Sequence, residues 1–248
     1  MLKLYSFGPG ANSLKPMLTL HEKGLDYEQA LLDPRKFEHH SDWFKKINPR
    51  GQVPALEDRG HIITESTVIC EYLEDEWPTD VKLRPDTSWE RADMRVWTKW
   101  VDEYFCWCVS TIGWHRYVGN MVKGLSDEEF EEKVKNIPVV EQQVKWRRAR
   151  EGFPQEMLDE EMRKIAYSVR KLDDHLRDHE WLVPGMYTLA DICNFAIANG
   201  MQHGYPELVN KEDTPGLLRW IEQINERPAA KKMFADVPRE IRHEDAKK

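Results

Sequence analysis

The sequence predicts an α+β chain in two parts: a mixed strand-and-helix unit over residues 1–78, then an all-α unit over residues 89–235. Three observations carry this. Up to Glu76 the patterns run in the order β-α-β-α-β-β-α; from Pro78 to Asp86 two prolines and a run of charge break all periodicity. Beyond the break, apolar residues recur only at three-and-four spacing. With 248 residues the chain also exceeds the usual size of one domain, so residues 79–88 read as a linker. Residues 236–248 are mostly charged and read as a tail with little to pack against.

Leu2 to Phe7 reads as the first strand, ended by Gly8-Pro9-Gly10. Asn12 and Ser13 follow, both good N-cap residues, and lead into a helix whose apolar side is Met17, Leu18 and Leu20. Leu25 to Leu32 reads as a second strand, and the segment from Phe37 to Phe44 as short-helical. This order is a thioredoxin-like arrangement.

The stretch from Asn48 to Ser66 is the most informative. Val53-Pro54 stands where a strand should begin, and proline there removes a ladder donor, so it belongs at a first residue or an edge. An X-Pro bond in a tight turn is also the usual home of a cis peptide. Val53 is then free to pair through its backbone with an extended, peptide-like ligand. Asp58-Arg59-Gly60 forms a hairpin tip, and Glu65-Ser66 opens a helix running to about Glu76, which puts the Ser66 hydroxyl at a helix N-terminus suited to a carboxylate.

In the helical part, the spacing predicts one helix from Trp89 to about Tyr117. Trp97, Trp100, Val101, Tyr104, Phe105, Cys108 and Ile112 form its apolar face. Trp100, Trp107 and Trp114 lie seven apart and are expected as a row along one flank. Core packing suits Trp100, whereas Trp107 and Trp114 suit an aromatic ligand wall. Ser126 to Glu129 is a capping box. Lys145-Trp146-Arg147-Arg148-Ala149-Arg150 reads as a solvated basic helix face rather than an anion site. Met157 to Leu176 is amphipathic; Thr188 and Asp191 cap an almost wholly apolar helix, and a last helix spans Thr214 to about Met233.

Composition narrows the function. Hydrophobic content of 40% suffices for a core, and a net charge of −8 with pI near 5.7 argues against nucleic acid or an anionic membrane as the main partner. Residues 1–7 lack the charged-then-apolar pattern of a secretory signal, and no apolar run is long enough to span a bilayer, so a cytoplasmic protein is expected. Cys70, Cys106, Cys108 and Cys193 have neither zinc-ligand spacing nor a Cys-x-x-Cys pattern, so reduced thiols and no metal site are expected.

Val-Pro before a hairpin, with Glu-Ser opening the next helix, resembles the glutathione site of the glutathione transferases. The resemblance implies their architecture, glutathione as cosubstrate and a homodimer. By position it implies that Glu65 and Ser66 hold the γ-glutamyl end and that Val53, before Pro54, holds the cysteinyl backbone. His40 and Gln52, with His39 as an alternative to His40, are the candidates for the glycine carboxylate. No tyrosine or cysteine stands in the turn after the first strand, so thiol activation falls jointly to Ser13 and Asn12 with the helix N–H groups.

The opening Leu-Lys-Leu-Tyr-Ser-Phe-Gly-Pro-Gly-Ala-Asn-Ser-Leu-Lys-Pro, the Tyr-Phe-Cys-Trp-Cys helix core and Trp-Arg-Arg-Ala-Arg at Trp146 narrow the resemblance. They are similar to the bacterial glutathione-dependent β-etherases of lignin breakdown, in the branch that takes the S-enantiomer. That family implies displacement of a phenol from the carbon next to an α-ketone, with inversion, leaving a glutathione thioether. It also implies a substrate pocket of Tyr104, Trp107, Ile112 and Trp114. Two other functions share parts of this pattern: a general glutathione transferase or isomerase without need of the tryptophans, and a non-catalytic transferase-like module, against which the complete Val53-Pro54 and Glu65-Ser66 motifs argue.

Overall fold

The computed structural model describes residues 1–236; all but the first residue of the expected tail lies outside them. The first half alternates β1 (Leu2–Ser6), α1 (Ala11–Glu22), β2 (Tyr27–Leu31), a short α2 (Asp42–Lys45), β3 (Ala55–Asp58), β4 (His61–Thr64) and α3 (Ser66–Glu76). The sheet order is β2-β1-β3-β4. β1 runs parallel to β2, pairing Leu2 with Tyr27 and Ser6 with Leu31, and antiparallel to β3, pairing Tyr5 with Ala55. The β3–β4 hairpin turns on Arg59 and Gly60, both at positive φ, as a two-residue turn between right-twisted strands demands. Below the tip, the enclosed Asp58 carboxylate accepts hydrogen bonds from Tyr72 Oη (2.8 Å) and Trp77 Nε1 (3.0 Å), which ties the hairpin to α3.

The second half contains α4 (Ser88–Trp100), α5 (Cys106–Gly113), α6 (Gly119–Val122), α7 (Asp127–Lys135), α8 (Val140–Glu151), α9 (Gln155–Asp178), α10 (Leu189–Ala198), a short α11 (Met201–Gly204), α12 (Pro215–Glu226) and α13 (Pro228–Ala235). From α4 to α6 the backbone is one continuous helix interrupted by two π turns, Val101–Phe105 and Trp114–Val118. In them the Cys106 N–H reaches back five residues to the Val101 carbonyl, and the Gly119 N–H to that of Trp114. Each π turn inserts one residue and so rotates the next helical segment by about 100° relative to a straight α-helix.

That rotation overturns the expected tryptophan row. Trp100 stacks on Phe105, with ring centroids 5.4 Å apart, and packs against the core, while Trp107, past the first π turn, is 56% exposed. Seven-residue spacing predicts a row only if every turn holds 3.6 residues.

One core runs through both halves. Leu4, Leu18, Leu56 and Ile69 of the first join Val101, Phe105, Phe195 and Trp220 of the second. α1 packs on α3, α10 and α13, and Arg227 grips Glu22 of α1 with two hydrogen bonds of 2.6 and 2.8 Å. α10 is buried along its whole length, and its Thr188–Asp191 capping box is formed, as is the Ser126–Glu129 box of α7. No helix among the described residues is long and apolar enough to cross a membrane.

Candidate functional site

The candidate site begins where β1 ends. Gly8 sits at φ 91° and Ala11 at φ 42°, a positive φ rare outside glycine, so the chain turns sharply into α1. The N-cap of α1 is Gly10, with no side-chain cap, so Asn12 and Ser13 lie inside the first turn rather than capping it. The Ser13 N–H is taken by the Gly10 carbonyl at 3.0 Å, whereas its hydroxyl makes no intrachain hydrogen bond among the described residues. Asn12 Oδ1 accepts from the Cys106 thiol at 3.6 Å, a contact that crosses from the first half of the chain to α5.

Beside this turn lies the peptide edge. The Val53–Pro54 bond is cis, and neither the Val53 N–H nor its carbonyl has a partner among the described residues. Asn48 orders the loop before it, donating from Nδ2 to the Gln52 carbonyl at 2.7 Å and accepting from the Arg50 N–H at 3.1 Å. Gly51 has φ 60°, and a Cβ there would lie 2.6 Å from His40 Nδ1 and 2.8 Å from the His39 carbonyl. Only glycine lets the histidine pair lie against the Gln52 loop. Glu65, at φ 68° and ψ 115°, is the second strained residue at a helix start; such a conformation costs of order 1–3 kcal/mol and is held only by its surroundings. It delivers the buried Ser66 and then Thr67 into the first turn of α3.

His39 and His40 are both buried, with ring centroids 3.8 Å apart. His39 Nδ1 and both nitrogens of His40 have no hydrogen-bond partner among the described residues. Burial pushes His39 down to about 3 and His40 down to about 4, so both are neutral at pH 7. The unfolded chain, with ordinary histidines near 6.5, therefore binds protons that the native state refuses. Stability is complete above about pH 6.5 and is lost as pH falls toward 4, by about 2 kcal/mol per histidine at pH 5. Denaturant midpoints at pH 7 and pH 5 check this: His40→Gln is expected to lose less stability between the two than the wild type, and equal losses refute it.

A third element locks the two helix starts together. Asp102, on the first π turn, accepts from Lys15 Nζ at 2.5 Å and from the Thr67 hydroxyl. Lys15 is wholly enclosed in α1, three residues from Asn12, and Thr67 follows Ser66. Sequence reasoning missed this trio, although a lysine within Leu14-Lys15-Pro16-Met17-Leu18 was a sign that an ammonium must find a buried partner.

An aromatic face comes from α5 and α8. Cys106, Trp107, Ser110 and Trp114 span about 100° of one helix face. Lys145 of α8 lies over that face, donating to Ser110 Oγ at 2.8 Å, with its ammonium 5.4 Å from the Trp107 ring and 4.8 Å from that of Trp114. Trp114 meets Trp146 edge-on at 5.0 Å. α8 comes this close because Gly119 lies under Ala149: a Cβ on Gly119 would fall 2.1 Å from the Ala149 carbonyl oxygen.

Of the four residues expected to line a pocket, Trp107 and Trp114 are thus brought together on the wall. Tyr104 lies on the π turn, 6.0 Å from the Tyr167 ring, and Ile112 is in the core, 4% exposed and about 140° round the helix from Trp107. The basic segment on α8 is not simply a solvated face. Trp146 is buried, Arg147 pairs with Glu131 at 2.8 Å, Arg150 pairs with Asp127 at 2.8 Å, and Lys145 turns inward.

Family models for the glutathione S-transferase N-terminal and C-terminal domains match residues 1–75 and 105–228. Protein LigF of Sphingobium sp. strain SYK-6 is 63% identical over 244 residues, covering 96% of this chain and 95% of LigF. The crystal structure described as β-etherase LigF from the same strain superposes with a TM-score of 0.93, over 95% of this chain and 99% of that one. A glutathione transferase from Phanerochaete chrysosporium, in complex with oxidised glutathione, shares the fold at 23% identity and a TM-score of 0.74, over 95% of each chain.

Proposed function

Since the chain belongs to the glutathione S-transferase family, we propose that it uses glutathione to cleave β-aryl ether bonds in lignin-derived α-keto aromatics. The observation that carries this reading is the 63% identity to the β-etherase LigF along nearly the whole of both chains. The glutathione γ-glutamyl end lies at Ser66 and Glu65, where the first-turn N–H groups of α3 favour a carboxylate. The cysteinyl amide pairs with the free backbone of Val53, before Pro54. The glycine carboxylate meets Gln52 and His40, with His39 behind, and it offers an acceptor to the one N–H that the neutral His40 ring carries.

So held, the thiol lies at the start of α1, near Ser13 and Asn12. The hydroxyl of Ser13 and the N–H groups of the helix donate to the thiolate and favour the nucleophilic form. Neither need act as a base. Because several donors share this work, Ser13→Ala alone is expected to lower kcat less than tenfold. The thiolate attacks the carbon bearing the aryloxy group, which the adjacent ketone activates; the phenol leaves and the carbon is inverted. Catalysis is mostly alignment and stabilisation of the departing oxygen. Trp107 and Trp114 offer faces to the aryl rings of the substrate, with Tyr104 at the margin. The reading includes a homodimer, the cytoplasm as its place of work and the S-enantiomer as its substrate.

The test is incubation with glutathione and a racemic β-aryl ether ketone. Release of about half the phenol, all from one enantiomer, is the expected result. No release, alongside turnover of a simple aryl halide, refutes ether cleavage. Trp107→Ala is expected to impair ether cleavage about tenfold while retention on immobilised glutathione is unchanged; equal loss of both would place Trp107 in the core.

A further inference from the structure

Lys145 and Arg148 are the two cations of α8 with no ion pair among the described residues, and Arg148 is exposed whereas Lys145 lies on the aromatic wall. Arg147 and Arg150 have carboxylate partners, whereas Lys145 makes no ion pair among the described residues. Its ammonium is held instead by the Ser110 hydroxyl at 2.8 Å and the faces of Trp107 and Trp114. A hydroxyl and two ring faces orient a cation without neutralising it, which leaves its charge available to an incoming anion. The neighbouring residue on the same face of α5, Cys106, touches Asn12 on the thiol turn at 3.6 Å. The ammonium thus stands on the aromatic wall, one turn of α5 from the residue that touches the start of α1.

We propose that Lys145 is the catalytic acid of ether cleavage, meeting the leaving aryloxide oxygen, an assignment that rests on the ether-cleaving reading above. The sulfur lone pair forms the C–S bond as the C–O bond breaks, and the bonding pair of the ether goes to the aryl oxygen. Lys145 hands that oxygen a proton, neutral phenol leaves, and the amine regains a proton from water. Overall, thiol and ether become thioether and phenol, with no other reactant.

The chemistry of the site favours transfer. Burial pushes the Lys145 ammonium down to about 8, so it is a stronger acid than a phenol near 10 and still protonated at neutral pH. The titratable groups bearing on it are the Cys106 thiol from α5 and the Glu161 carboxylate from α9. Burial raises the Cys106 thiol above its ordinary value, Lys15, Asn12 and Lys145 opposing, so Cys106 titrates later than the lysine.

The experiment uses the full chain, saturating glutathione and a series of α-keto β-aryl ethers whose leaving phenols range from strongly acidic nitrophenols to methoxyphenols. In the wild type, kcat for the methoxyphenyl ether is expected to fall as pH rises above about 8, with no such limb for the nitrophenyl ether, which needs no acid. Lys145→Met is expected to lower kcat about 100-fold for the methoxyphenyl ether and less than threefold for the nitrophenyl ether. Retention on immobilised glutathione reports that the variant is folded. Equal losses across the series, or a wild type without the basic limb, overturn the assignment while ether cleavage itself stands. A wild type that releases phenol from none of the ethers overturns the parent reading, and this one with it. Should Lys145→Met fail to fold, the wild-type profiles alone decide.

Discussion

Asp191→Ala is expected to destabilise the protein by about 3–5 kcal/mol, enough to unfold much of it at working temperatures. The Asp191 carboxylate, wholly buried, accepts from the Leu182 N–H, the Thr188 N–H and Trp220 Nε1, each at 2.9 Å. Alanine leaves these three buried donors without that acceptor, and the Thr188 hydroxyl loses its longer 3.4 Å bond to it; each buried donor left unpaired costs about 1–3 kcal/mol, less than additively. Asp191→Asn restores one acceptor but points an amide N–H₂ at a donor, so it is expected to recover less than half of the loss. Urea midpoints check both. A second signature comes from pH. Burial raises the Asp191 carboxyl to about 6, so between about pH 4 and 6 the native state holds a proton that the unfolded chain has released. This contribution is present below pH 4 and lost as pH rises through 6, a slope that Asp191→Asn lacks.

The second large effect is at Asp102. Asp102→Ala leaves the Lys15 ammonium, fully enclosed in α1, without a carboxylate, at a cost of about 3 kcal/mol. The same substitution frees Thr67 beside Ser66, so glutathione affinity is expected to fall about tenfold, or about 1.4 kcal/mol. Replacing both members, Lys15→Met with Asp102→Leu, separates these effects. An apolar pair of similar volume is expected to restore stability to within about 1 kcal/mol of the wild type. Affinity stays low, because nothing then holds Thr67. Full recovery of affinity in the double variant would show that the Asp102–Thr67 contact does not position the γ-glutamyl site. Thermal melts with and without glutathione read both quantities.

Local demands met by a short run of residues were legible in the sequence. Val53-Pro54, Asp58-Arg59-Gly60, Thr188 to Asp191 and Ser126 to Glu129 each specify their own turn or cap, and each is formed. Asn12 and Ser13 show the limit of such reasoning. Both are good caps, yet the backbone turns at Ala11 and caps on Gly10, because the strand end and α1 are fixed by packing on the sheet.

The second half of the site was hidden for a different reason. Nothing in Val101 to Phe105 marks a π turn, and the one inserted residue moves Trp107 out of the expected row, while Asp102 in the turn itself meets Lys15 and Thr67. Lys145 was equally hidden, since a lysine in a basic run looks solvated until Gly119 brings α8 onto α5.

By itself, then, the sequence determined the order of elements, the Val53-Pro54 turn with its unpaired backbone and the family, because turn chemistry and helix caps act over three or four residues. Only the tertiary structure decided which side chains from the other half of the chain meet the starts of α1 and α3. Helical phase and the approach of one helix to another are set by the packing of the whole core, to which residues as far apart as Met94 and Ile112 contribute and which no short segment encodes.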